Sequence, residues 1–232
     1  MATDVKQAAG QGSPELSTED KVVASARQFW SKNSKYVLYA IVAIILLVGG
    51  TYVYNSYFRE PKEQQAAEAI WKAENYYNQD SLKLALNGDG VNMGFLKVID
   101  KFSGTNSGNL AKFYAGSCYL QLGDYSNAVK YLEGFSTDQK EAKLRATGLL
   151  GDAYAELGKK KEAVDAYTKA GTLFEDDDVN SPEYLFRAAL LNQELGKDKE
   201  AIELLKSIKD KYPSTQRAFE ADKYLAKMGD TK

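Results

Sequence analysis

Fourteen residues recur three times in this chain, as YLQLGDYSNAVKYL from Tyr119, YAELGKKKEAVDAY from Tyr154 and NQELGKDKEAIELL from Asn192. The glycines Gly123, Gly158 and Gly196 lie 35 and 38 residues apart, and the alanines Ala128, Ala163 and Ala201 keep both intervals. A period in this range belongs to a supersecondary unit that buries its apolar face against copies of itself. Each glycine follows a helical pattern, where the chain needs a positive φ that costs glycine nothing. Each alanine falls on the next helix, where a small side chain lets two helices approach closely. The expectation is all-α, with helix–turn–helix units in a row.

The unit resembles the tetratricopeptide repeat. The middle copy carries the pattern best, with Leu150, Gly151, Tyr154, Gly158, Ala163, Tyr167 and Ala170 in phase. An earlier copy has Gly116, Tyr119, Gly123, Tyr125 and Ala128; a later one has Ala189 and Asn192 in place of Gly and Tyr, and closes at Pro213. The repeats are expected at about 109–136, 144–172 and 182–213. A degenerate repeat over 62–103 precedes them, with a helix through Trp71 and Tyr77, a turn at NGDG, then GFLKVIDKF. A capping helix over 214–228 comes last, ending at Gly229, with exposed charges that protect the open end of the stack. The whole repeat domain spans 59–232, and the acidic run EDDDV at 175–179 reads as a solvated connector.

Before the repeats, Tyr36 to Phe58 gives 23 residues without a formal charge. A helix needs roughly 20 apolar residues to cross a bilayer, so 36–58 reads as a transmembrane helix. A cleaved signal peptide fits badly, because the run is too long, starts late and lacks an A-x-A site. A core helix would keep one polar face, whereas this run is apolar all round. Tyr36 and Tyr39 at one end, and Tyr52, Tyr54 and Tyr57 at the other, suit the two interfaces with lipid. Upstream, 1–16 reads as a disordered cytoplasmic tail. Residues 17–35 read as an amphipathic juxtamembrane helix carrying Phe29 and Trp30 at headgroup depth, or as a continuation of the span. The fifteen residues before the span hold Lys21, Arg27, Lys32 and Lys35 with no acid, while the fifteen after it mix Arg59, Lys62 and Lys72 with three glutamates. That bias favours a cytoplasmic N-terminus and the repeats outside.

Composition narrows the chemistry. With no histidine there is no His base, Ser–His or Cys–His pair, or HExxH site. The single cysteine, Cys118, allows no intramolecular disulfide and no thiolate cage. A net charge of −2 points away from nucleic acid. The acids of residues 175–178 lack Gly-centred calcium spacing, and NGDG lacks the lysine of a P-loop. The reading is therefore a non-enzyme with no catalytic, cofactor or metal site.

In the repeat family the first helix of each unit lines a concave face. The resemblance places Phe113, Ser117 and Gln121, then Arg145, Asp152 and Glu156, then Phe186, Gln193 and Glu194 along it. Phe113 and Ser117, with Glu183, stand where a carboxylate clamp needs basic residues or Asn, so the expected ligand is an extended or helical peptide rather than an anionic tail. The order of tail, basic Phe–Trp stretch, single span and repeats also resembles the YfgM family, ancillary subunits of the bacterial SecYEG translocon. The matching stretches are ARQFWSKNSKYVLYA and YNSYFREPKEQQAAEAIWKAENYY, and GFLKVIDKFSGTNSGNLAKFYAG is similar to tetratricopeptide proteins of the Bacteroidetes. That resemblance implies a single-pass inner-membrane protein, its C-terminal domain periplasmic, beside SecYEG, a PpiD-type membrane-anchored chaperone and emerging polypeptides. The alternative is a structural adaptor in cell-wall synthesis or outer-membrane assembly, without client binding.

Overall fold

The computed structural model describes residues 18–230, and these are helices and turns apart from one isolated bridge between Gly88 and Met93. The chain divides into two compact units, one ending at Phe58 and one beginning at Arg59. The tail expected over 1–16, and Ser17, lie outside the described residues.

The described part of the first unit is α1 (Thr18–Tyr54) followed by a π-helical segment, Asn55–Arg59, whose last residue begins the second unit. Residues 18–35 belong to the same helix as the apolar run. No Gly or Pro interrupts residues 18–48, so nothing breaks the backbone before the apolar run begins. The regular α-helix stops at Tyr54, four residues short of the expected end of the span at Phe58. α1 is long and apolar enough to cross a membrane. Phe29, Trp30, Tyr36, Tyr39, Tyr52, Tyr54 and Tyr57 are all exposed, as are Ile44, Ile45, Leu46 and Leu47. Apolar side chains facing outward all round have no protein core to enter, which is the surface a lipid phase covers.

The second unit opens with α2 (Glu60–Asn78), which carries Pro61 in its first turn beside Glu60 and Glu63. Two short helices come after it, α3 (Leu82–Asn87) and α4 (Phe95–Lys101); the sequence pattern gives no sign of α3. The pairs α5 (Asn106–Gln121) with α6 (Tyr125–Glu133), α7 (Lys140–Glu156) with α8 (Lys160–Leu173), and α9 (Asn180–Glu194) with α10 (Asp198–Lys211) come next, then α11 (Gln216–Lys227). Gly123, Gly158, Gly196 and Gly229 all take positive φ, between 71° and 80°. After each, the next amide reaches back to close the helix: Asp124 to Tyr119, Lys159 to Tyr154, Lys197 to Asn192 and Asp230 to Leu225, each at 2.9 Å. This is the six-to-one bond of a glycine-stopped helix, made identically four times.

Ala128, Ala163 and Ala201 have no exposed surface. A second small position is paired with a large one across each hairpin. A Cβ on Gly116 would lie 2.6 Å from Leu132 Cγ, and one on Gly151 would lie 2.5 Å from Tyr167 Cδ1. At the matching third pair, Ala189 and Leu205 share one core cluster. Three clusters line up along the stack, centred on Phe95 and Cys118, on Leu144 and Tyr167, and on Phe186 and Leu205. Burial pushes the Cys118 thiol up to about 12, so it packs as an inert apolar group.

Candidate functional site

The first helices of successive units pack side by side, α2 on α5, α5 on α7, α7 on α9 and α9 on α11. Their shared face is held by two chemistries. Between α2 and α5 there is no ion pair among the described residues: Glu63 accepts from the Asn106 and Ser107 amides and the Ser107 hydroxyl at 2.7–2.8 Å, and further links are neutral. The Tyr77 and Ser117 hydroxyls bond at 2.9 Å, and Gln121 Nε2 donates to Tyr77 Oη at 3.2 Å. Ser117 is 5% exposed, which removes it from a groove surface: its hydroxyl is spent on the helix interface. Phe113 is half-buried, its ring 5.5 Å from Tyr114 and 5.6 Å from Phe135.

From α7 to α11 the links are charged. Asp152 accepts from Tyr167 Oη at 2.6 Å and from Arg187 at 2.5 Å. Arg187 Nε also donates to Glu183 at 2.8 Å, Arg217 Nε donates to the other Glu183 oxygen, and Arg217 pairs with Glu220. One ladder thus joins three helices. Burial alone would raise Glu183, but the bonds from Arg187 and Arg217 outweigh it and hold its carboxyl below the ordinary range. Burial and the Asp152 carboxylate together push the Tyr167 hydroxyl well up.

Phe186 is 4% exposed and cannot serve as an open anchor. α11 packs on α9, placing the Tyr224 ring edge-on at 5.4 Å and the Arg217 guanidinium 4.8 Å from the Phe186 ring. Arg145, Glu156, Gln193 and Glu194 are exposed, and no hydrogen bond or ion pair among the described residues joins them to one another; Glu194 pairs with Lys160 at 2.8 Å. Of the expected lining, Ser117 and Gln121 are brought together, at 3.4 Å. The residues missed are Arg187 and Arg217. The Glu183–Arg187 spacing of four on one helix face was the available signal.

The acidic connector also acquires a structural task. Asp177 accepts from the amides of Val179 and Asn180, at 3.0 and 2.8 Å, at the entry to α9, and Glu175 pairs with Lys211. Burial would raise Asp177, yet the bonds from Asn180 prevail and keep its carboxyl low. In NGDG, Asp89 accepts from Tyr76 Oη at 2.7 Å and from the Val91 amide at 2.8 Å, tying that turn to α2.

A cleft of about 860 Å³ opens between α6, residues 134–139, α7 and α8. Leu132, Phe135, Ala146 and Leu150 line its apolar part, and Glu133, Asp138, Glu162 and Asp165 supply carboxylates.

Fold and surface together define a helical-repeat protein-interaction scaffold joined to a helix long and apolar enough to cross a membrane. A family model described as a tetratricopeptide repeat-like domain matches residues 27–150, more than half of the chain, and two tetratricopeptide repeat models match 144–177 and 183–215. The chain belongs to the tetratricopeptide repeat-like family. No match was found among curated proteins.

Proposed function

We propose that this protein is an ancillary factor of the Sec translocon: a single-pass scaffold of a bacterial inner membrane whose repeats face the periplasm, beside a PpiD-type chaperone and emerging polypeptides. The observation that supports this reading is the reach of the family match, which starts at Arg27 inside α1 and runs on through the first repeats to Leu150. Apolar helix and repeats therefore go together, as in the YfgM architecture that the sequence resembles. The basic stretch from Lys21 to Lys35 favours a cytoplasmic N-terminus.

Two measurements test it. Protease added to spheroplasts should digest the domain from Arg59 onward and spare the N-terminal tail. SecY should co-purify with the full-length protein after mild solubilisation. Protected repeats would overturn the orientation, and folded protein lacking SecY would overturn the translocon assignment.

A further inference from the structure

α6 is nine residues long, whereas the equivalent second helices α8 and α10 have fourteen each. The chain leaves α6 at Gly134, and side chains of α5 hold residues 134–136 in place. Lys112 Nζ donates to the Gly134 carbonyl at 3.0 Å, and Asn109 exchanges two hydrogen bonds with Ser136, at 2.6 and 3.2 Å. The cleft is therefore where a longer second helix would have continued, and it is kept open by bonds rather than by chance packing. Its floor is the α7 stripe Ala146, Leu150 and Tyr154, with Leu132 and Phe135 closing one side. At about 100° per residue, Asp152 points from the opposite side of α7, so this cleft is distinct from the face carrying the ion-pair ladder.

The two faces differ in how their charges are used. Along the ladder, Asp152, Glu183 and Glu220 are all paired with arginine. At the cleft, Asp138, Glu162 and Asp165 form no ion pair among the described residues, and Glu133 accepts only the Tyr154 hydroxyl, at 2.5 Å. Lys143 and Lys169 are the cations in the lining, so the carboxylates outnumber them two to one. The volume lies inside the range of roughly 300–1,000 Å³ typical of small-molecule pockets, which is room enough for several side chains. A groove with helices on both sides takes the ridge of another helix.

We propose that this cleft docks an amphipathic helical segment of a partner protein, one presenting large apolar side chains flanked by lysine or arginine. The apolar side chains enter between Leu132, Phe135 and Leu150, and the cations meet Asp138, Glu162 and Asp165. The proposal goes beyond the translocon reading and holds for any partner with this chemistry.

The test uses full-length protein in nanodiscs of zwitterionic lipid and a fluorescent helical peptide of Leu, Ala and Lys, with empty discs subtracted. A second peptide replaces each Lys by Glu. The Lys peptide should bind and the Glu peptide should not. Glu162→Lys with Asp165→Lys should weaken binding about tenfold, the scale expected when two exposed attractions become repulsions. Glu203→Lys, exposed on α10, should leave binding unchanged. Equal binding by the wild type and the double variant, or a preference for the Glu peptide, overturns the proposal. So does light scattering showing a dimer that the double variant dissolves, because the cleft then belongs to a second copy. Failure here leaves SecY co-purification intact, and absence of SecY leaves peptide affinity intact, so the two readings fall separately.

Discussion

The repeats on either side of the α6–α7 junction share their turns but not their cross-links. From α7 onward the second helices are full length, and the first helices are joined by the ladder from Asp152 through Arg187, Glu183 and Arg217 to Glu220. Before it, α3, α4 and α6 are short, and the first helices are joined through Tyr77, Ser117 and Gln121. The same backbone unit therefore tolerates first helices joined by ion pairs or by hydrogen bonds without an opposite charge, because glycine stops and alanine contacts already fix helix spacing. What the short α6 changes is the outer surface at the junction, where a cleft opens between α6, α7 and α8.

Phe186→Ala breaks this comparison most severely. Phe186 lies inside the last core cluster, and truncating such a side chain typically costs ~3–5 kcal/mol. Phe113→Ala, at a half-buried position of the irregular half, should cost about half as much. Denaturation of the full-length protein in detergent, with hydrogen exchange read separately over α5 and α9, measures both. Equal losses would show that Phe113 is as central to its half as Phe186 is to the other.

Ionic conditions should separate the halves more finely. The Glu183 carboxyl is held below its ordinary value of 4.5, so its contribution is fully present above that pH and is lost as pH falls through the lower folded value. Acid alone does not discriminate, because Glu63 in the irregular half is also lowered: burial opposes this, but the Ser107 hydroxyl and amide prevail. Salt does discriminate. Raising ionic strength from about 0.1 M to about 1 M shrinks the Debye length from ~10 to ~3 Å and should weaken protection of α9 and α11 more than that of α2 and α5. Glu183→Gln should cost about 1 kcal/mol at neutral pH and remove that extra salt sensitivity. Uniform salt dependence along the stack would mean the ladder is not what distinguishes the two halves.

Particular residues show what the sequence could reveal. Gly123, Gly158 and Gly196 announced their positive φ because a helix stop is local chemistry, legible from a glycine behind an apolar pattern. Ala163 was legible because small-residue contacts recur with the period. Phe186 was misplaced for a reason that periodicity does not address. Spacing tells which face of α9 a side chain occupies, but not that α11 packs over that face. The cleft was invisible for a related reason: it depends on α6 ending at Gly134 and on Asn109 holding Ser136, contacts made 27 residues apart. The long apolar helix was legible in outline, while the π-helical segment Asn55–Arg59 that follows it carries no sequence signal.

The finest test concerns Asn192, which takes the place of Tyr119 and Tyr154 in the last full repeat. Tyr119 stacks on Tyr131 at 5.4 Å, and Tyr154 donates to Glu133, so both earlier copies use the position for packing or bonding between helices. Asn192 is buried, and its Oδ1 has no hydrogen-bond partner among the described residues. A buried amide oxygen left unbonded gives up its hydration without compensation. Leucine has nearly the same shape and no such penalty, so Asn192→Leu should stabilise the regular half by up to about 1 kcal/mol, seen as slower exchange across α9 and α10. The backbone carbonyl of Asn192 accepts the Lys197 amide, and that bond is untouched by the substitution. The opposite result, faster exchange, would mean that the amide makes a contact worth more than its desolvation. The last repeat would then use a polar core position as the ladder uses charge, to hold one arrangement of α9 against its neighbours.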